Sequence, residues 1–459
     1  MNLIESVNPF NALVIGRVKE SSIDEVHEAV IRAKKACSIW GGTGLEERIS
    51  LLEPLIHKLE EHRGELAELL VTEVGRPILE AEGEVRGAMD NMRVHLVHAR
   101  EYLADQTFLE DRGVTHTLRR VPWGVSAVIS PFNVPLNISE WGIIPNLLCG
   151  NTVIYKPSEY TPLVGEYFSK LILELGLPPG TFHLLQGDGK VGERLIHEAV
   201  DFIWFTGSTS TGTHIFEVAG KRFISSLMEL GGNNPTIICE DVEISDDLIS
   251  NLIQGRFQNC GQVCSAIKRL YVHQSKYEEL VAKLAHRAQA LKVGDPANPS
   301  TEIGPLVSER QLLLLEEQVA DAVAKGAGVA CGGRRSADFP QGSYYLPTVL
   351  TGVHHGMRIM NEEVFGPVLP VMAFNDPAEA VELANDSLYG LAAEIYCNNE
   401  AIIDYFTGAL QTGRVAVNMP RFAGLNCPMG GMKKSGKGRQ HGKWVFEELT
   451  QIKHIMTRS

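Results

Sequence analysis

Three amphipathic helical stretches are predicted to open the chain, with apolar positions recurring at helical spacing to about Asp105. Ser22 precedes Glu25 in the S-x-x-E pattern, in which each residue satisfies a free amide of the other, so the first helix is expected to start there. Beyond Asp105 the period shortens. Short β-branched runs at residues 125–129, 152–155, 182–185 and 202–205 alternate with helical segments, the pattern of a parallel, doubly wound sheet. A second such series follows Gly231, with strands expected near 269–273, 368–374, 394–397 and 415–418, and predicts a second α/β domain. The pair Gly231-Gly232 is the expected boundary, because residues free to take positive φ suit a chain passing from one series to the next. Thr107, Phe108, Val114, Thr115 and Thr117 predict a projecting β-hairpin over 106–121.

Composition narrows the classes. With 459 residues, 44% hydrophobic and 21% charged, the chain has the length of about three structural units and can bury substantial cores. The net charge of −14 opposes binding to phosphate backbones, so no nucleic-acid partner is expected. No run approaches the roughly 20 uninterrupted apolar residues of a membrane helix, and the first residues lack the basic and apolar segments of a secretion signal. Eight scattered cysteines read as reduced thiols, and a cytoplasmic location without membrane partners is expected.

Several motifs carry chemistry. Residues 187–192 form a literal G-x-G-x-x-G after a strand and opening a helix, where amides can cradle a pyrophosphate; an ordinary strand-helix turn is the alternative. A second glycine turn with hydroxyls, 205–212, follows another strand, and together the two favour a nucleotide. Lys156-Pro157-Ser158-Glu159 adds a cation and a carboxylate just past a strand end. Cys264 has polar and glycine neighbours that suit a reactive thiol. Cys260 lies four positions before it, but no second Cys or His pair completes a metal site, and no metal is expected. Glu229, in Met-Glu-Leu-Gly-Gly, is a carboxylate whose apolar setting raises its basicity, or a buried structural glutamate. Asn133 stands past a strand end, where its amide can donate to an oxyanion or cap a turn.

Taken together, Pro131-Phe132-Asn133, Lys156-Pro157-Ser158-Glu159, the Phe-Thr-Gly-Ser turn at 205–208, Glu229-Leu230-Gly231-Gly232, Gly261-Gln262-Val263-Cys264 and Glu363-Val364-Phe365-Gly366-Pro367 resemble the NAD(P)-dependent aldehyde dehydrogenase superfamily. The resemblance spans the chain, continuing through Gly294-Asp295-Pro296, Gly304-Pro305, Pro428-Met429-Gly430-Gly431-Met432-Lys433 and Ser435-Gly436. It implies an α/β fold with a Rossmann-like cofactor domain over 1–105 and 122–230, an α/β catalytic domain over 231–445, and a small β oligomerisation arm of 106–121 and 446–459. The implied reaction oxidises a small-molecule aldehyde to a carboxylate in a homodimer or homotetramer.

By that resemblance Cys264 is the nucleophile, Asn133 and the Cys264 amide form the oxyanion hole, and Glu229 activates the hydrolytic water. Lys156 and Glu159 would meet the adenosine ribose, Gly189 and Ser208 the adenine and pyrophosphate side, and Glu363 with Phe365 the nicotinamide ribose. Ser130, Ser158, Phe205, Gly207 and Leu230 complete the cofactor set. The family does not use G-x-G-x-x-G in the usual manner, so only Gly189 of that motif is kept. A carboxylate at Glu159 repels a 2′-phosphate, so NAD is expected over NADP. Val134, Ile138, Trp141, Val263, Ser265, Arg421 and Met429 are the candidate substrate pocket.

Some positions depart from family patterns. Gln440 stands where many hydrolytic members carry a glutamate proposed as a proton relay, and Trp141 and Gln258 stand where succinate-semialdehyde enzymes often carry substrate-carboxylate arginines, which disfavours that subfamily. The alternatives are a CoA-acylating relative, disfavoured by Glu229, and a non-catalytic dinucleotide-binding protein, disfavoured by Asn133, Glu229 and Cys264 together.

Overall fold

The computed structural model describes residues 2–110, 113–420 and 424–458. The opening differs from expectation. An antiparallel pair, Leu3–Val7 and Val14–Lys19, precedes the helical region, which comprises five helices rather than three: Ile23–Gly42, Leu45–Leu52, Pro54–Glu61, Arg63–Val74 and Ile78–Tyr102. The Ser22 capping box is present, with both reciprocal bonds made.

Two sheets follow. The first has six strands in the order Gly436–Lys437, Ser225–Glu229, Phe202–Thr206, Val125–Ile129, Thr152–Lys156, Phe182–Leu184. All neighbours run parallel except the short first strand. Val125–Ile129 and Thr152–Lys156 are buried along their whole length, as strands covered by helices on both faces must be. One apolar core lies between the sheet and the helices of residues 45–102 and 135–173, and another forms with the first helix and residues 189–221. Strand order advances one way from Val125–Ile129, then restarts on its other side at Phe202–Thr206. Where the order reverses, neighbouring crossovers leave opposite faces and a crevice opens at the carboxyl ends.

The second sheet has seven strands ordered Gly328–Cys331, Thr348–Thr351, Val368–Phe374, Arg269–His273, Pro235–Ile238, Ala393–Tyr396, Val415–Val417, parallel except at Gly328–Cys331. A large continuous core covers it. Gln106–Glu110 and Val114–Pro122 make the expected hairpin, and Thr450–Arg458 pairs antiparallel along Val114–Pro122 to give a three-stranded sheet.

The chain passes between the two large sheets at Leu230–Asn234, but the reason given for Gly231-Gly232 is corrected. Neither glycine has positive φ. Both are required by close approach: a Cβ on Gly231 would collide with the Glu363 carboxylate, and one on Gly232 would lie 2.7 Å from the Cys264 carbonyl.

Candidate active site

A groove of about 410 Å³ opens at the reversal point of the first sheet. Every residue put forward for cofactor binding borders it: Ser130, Lys156, Ser158, Glu159, Gly189, Phe205, Gly207, Ser208, Leu230, Glu363 and Phe365. Asn133 and Cys264 border it too. Asp188 caps the helix Gly189–His197 by accepting from Lys190 N, and Ser208 caps Thr209–Lys221, so two helix N-termini meet the groove. Such termini present free amides and partial positive charge, the setting that holds phosphates. Gly189 has open space around it, whereas a Cβ on Gly187 would strike Val191. The first glycine of the motif therefore serves packing.

Lys156 is buried, with Nζ 2.9 Å from the Pro157 carbonyl. Burial lowers its pKa, opposed by Glu159 and Asp188. Ser130 spends its hydroxyl in a buried set with Ser139 Oγ at 2.9 Å and Tyr155 OH at 3.4 Å. At the second-sheet side, Glu363 accepts from Gly232 N at 3.2 Å and lies 3.8 Å from Lys268 Nζ. Burial raises the Glu363 carboxyl, with Lys268 as the main opposing charge. Lys268 also sits 4.8 Å from the centroid of the Phe365 ring.

The loop bearing Cys264 is built from unusual backbone. Asn259, Cys260 and Gly261 have φ of 50°, 54° and 74°, three consecutive left-handed residues that ordinary sequence avoids. Polar bonds hold them. Asn259 Nδ2 and Arg76 Nη2 donate to the Asn133 carbonyl at 2.8 and 2.9 Å, and Asn133 Nδ2 donates to the Gln262 carbonyl at 3.0 Å. Arg76 is itself paired with buried Glu84, which also accepts from the Leu136 and Asn137 amides at the start of the helix Pro135–Cys149. One network thus fixes the asparagine and the cysteine loop to each other.

The two cysteines of the loop differ. Cys260 is buried, and burial pushes its thiol pKa up, whereas Cys264 is half-buried on the groove wall. Glu229 stands outside the groove lining, one residue before Leu230. Its main chain is pinned between Gly207, whose amide donates to its carbonyl at 3.1 Å, and Gly436, its partner in the short edge strand. Its carboxyl is buried, and Oε1 makes no hydrogen bond. Burial raises that carboxyl well above the usual range, and Arg439 and Arg414 pull against the rise.

A model of the aldehyde dehydrogenase family matches residues 1–455. The chain belongs to this family. A probable NADP-dependent succinate-semialdehyde dehydrogenase from Sinorhizobium fredii is 34% identical over 98% of this chain and 91% of its own length. Human 2-aminomuconic semialdehyde dehydrogenase is 34% identical over 99% and 95%. Among solved structures, Escherichia coli lactaldehyde dehydrogenase superposes with a TM-score of 0.96 at 34% identity, covering 100% of this chain and 96% of the other. A Bacillus cereus aldehyde dehydrogenase in complex with NAD+ matches with a TM-score of 0.96 at 33% identity, over 100% and 93%.

In this aldehyde dehydrogenase the suggested substrate residues are less gathered than the cofactor set. Of the six that lie among the described residues, Ile138 alone is on the groove wall; Val263 and Ser265 flank Cys264, and Val134 precedes the helix Pro135–Cys149. Trp141 packs edge-on against His441 with centroids 4.6 Å apart, and Met429 exchanges main-chain bonds with Gln440. Arg421 lies outside the described residues. Sequence reading also missed four groups here: Arg76, Asn259, Lys268 and Arg414. Arg414 is half-buried and makes no ion pair among the described residues, and its charge acts on Cys264, Glu394 and Glu229. No short-range pattern marks any of these four, since each acts through a partner distant in the chain.

Proposed function

We propose that the chain is an NAD-preferring aldehyde dehydrogenase that releases its carboxylate product by hydrolysis. One observation carries the reading: half-exposed Cys264 and Asn133 line the same groove as Lys156, Glu159 and two helix N-termini. The groove fits a dinucleotide, because Gly189 leaves room at one helix start and Glu159 offers a carboxylate to ribose hydroxyls while repelling a 2′-phosphate.

The Cys264 thiolate attacks the aldehyde carbon, and the oxygen that gains the charge accepts from Asn133 Nδ2 and the Cys264 amide. Lys156, Glu159 and the helix starts at Gly189 and Ser208 would hold NAD, which would accept the hydride lost from the carbon bound to Cys264. Cys264 then carries the acyl group as a thioester. Glu229 takes a proton from a water that attacks the acyl carbon, and the carboxylate leaves as the thiol is restored. A carboxyl raised by burial is the stronger base once ionised, so hydrolysis is expected to quicken as pH rises through its elevated pKa.

Arg414 favours an aldehyde bearing an anionic group, since its guanidinium acts on Cys264 and makes no ion pair among the described residues, so it stabilises negative charge there. The semialdehyde names of the relatives agree with such substrates. Glu229→Gln tests the hydrolytic reading. It is expected to fold, bind NAD and give at most about one NADH per site, with the acyl adduct on Cys264 visible by intact-mass measurement. Steady turnover without a trapped adduct would make Glu229 structural, and release of acyl-CoA on adding CoA would favour an acylating enzyme.

A further inference from the structure

Two buried cysteines end neighbouring strands of the second sheet. Pro235–Ile238 and Ala393–Tyr396 run parallel with Ile238 opposite Tyr396, so Cys239 and Cys397 follow as the next pair. The Cys239 amide continues the ladder, donating to the Tyr396 carbonyl at 3.0 Å. Residues in register on adjacent strands send their side chains to the same face. The turn after Cys239 brings in Asp241, with Cys397 Sγ 3.9 Å from its Oδ2. Asp241 is held in place, since Oδ2 accepts from Asn398 N at 2.9 Å and its carbonyl accepts from Asn398 Nδ2 at 2.7 Å. The ligand atoms of Cys239, Asp241 and Cys397 all lie within 4.8 Å of one another, two of these residues buried and Asp241 exposed.

We propose that Cys239, Asp241 and Cys397 form a binding site for a thiophilic divalent cation of the Zn2+ or Cd2+ type. Two sulfurs and one carboxylate are a donor set for such ions and a poor one for Mg2+ or Ca2+. A tetrahedral ion with metal–sulfur bonds of about 2.3 Å sets its ligand atoms about 3.8 Å apart, so the observed spread closes with side-chain shifts of about an ångström. The exposed Asp241 side gives solvent access and leaves the fourth position to water. Each thiol exchanges its S–H bond for a sulfur–metal bond, so two protons leave per cation, no electrons move, and Asp241 adds a carboxylate oxygen to the ligand set.

The site is separate from the reaction centre. The Cys264 carbonyl accepts from Asn234, which precedes the strand Pro235–Ile238, whereas Cys239 follows its other end. It is tied instead to Asn418, whose Oδ1 accepts from Cys397 N at 2.9 Å and whose Nδ2 donates to the Cys397 carbonyl at 2.7 Å. A bound cation would therefore clamp the ends of Pro235–Ile238 and Ala393–Tyr396 together, beside Asn418. No sequence spacing announces it, because 156 positions separate Asp241 from Cys397.

The test uses the full-length chain with Cys264→Ser, which removes the reactive thiol. Titration with Cd2+ is expected to give a sulfur-to-cadmium charge-transfer band saturating at one cation per chain, release two protons, and be competed by Zn2+. Cys397→Ser should abolish the band and Cys331→Ser leave it intact. Asp241→Asn, a surface change that spares the fold, should weaken binding at least about tenfold. Absence of the band, its survival in Cys397→Ser, or undiminished affinity in Asp241→Asn would each overturn the site.

Discussion

Cys260 and Cys264 show how much a residue's role depends on its immediate surroundings. Both lie in one short polar segment, yet burial keeps the Cys260 thiol protonated while Cys264 reaches the groove. Cys264→Ala is expected to abolish aldehyde-dependent NADH formation, and Cys260→Ala to retain most of it; steady-state rates on both folded variants decide. Arg414 makes a second prediction at this scale. If its guanidinium receives an anionic substrate group, Arg414→Gln should raise KM for a semialdehyde carboxylate by about tenfold or more, as expected when a charge-assisted bond is lost, and barely change KM for a neutral aldehyde of equal length. An equal effect on both substrates would assign Arg414 to the tuning of Cys264 and Glu229. The motif residues of the groove were legible in the sequence because each lies in a short local pattern. Arg414 and Arg76 lie in none.

At the scale of elements, the opening helices were misread for a physical reason. The breaks at Glu53 and His62 are single residues between helices, so one apolar stripe runs across several of them. The first two strands pair mainly exposed residues, and a strand without a buried face leaves no alternation to detect. The joint between the helix Ile78–Tyr102, the helix Pro135–Cys149 and the Cys264 loop rests on Arg76 and Glu84. Arg76→Leu leaves Glu84 buried without its charge partner and is expected to cost about 3–5 kcal/mol. The exposed pair Arg86–Glu82 is the comparison, and Arg86→Leu should cost less than about 1 kcal/mol. Denaturant unfolding of both variants checks the contrast. Activity of Arg76→Leu should fall as well, because Asn133 and Asn259 lose a shared anchor.

For the whole molecule, the three-stranded arm matters most. Phe108, Ile452 and Met456 are exposed on it, and Phe108, His116 and His454 stack in a row. Apolar side chains on a projecting sheet with open edges invite a second copy. If this sheet joins copies of the chain, deleting residues 450–458 is expected to lower the sedimenting mass to that of one chain. An unchanged mass would move the interface elsewhere.

The sequence alone determined the alternation of strands and helices, the two α/β series and the residue types of the groove, because each of these is a local periodicity or a short motif. Only the tertiary structure decided which of those residues meet. It left Glu229 out of the groove lining, required Gly231 and Gly232 for close approach instead of positive φ, and bound the Asn133 turn to the Cys264 loop through Arg76. It also set Cys239 beside Cys397. Such contacts arise where strand register and sheet order bring distant segments together, and no spacing along the chain encodes them.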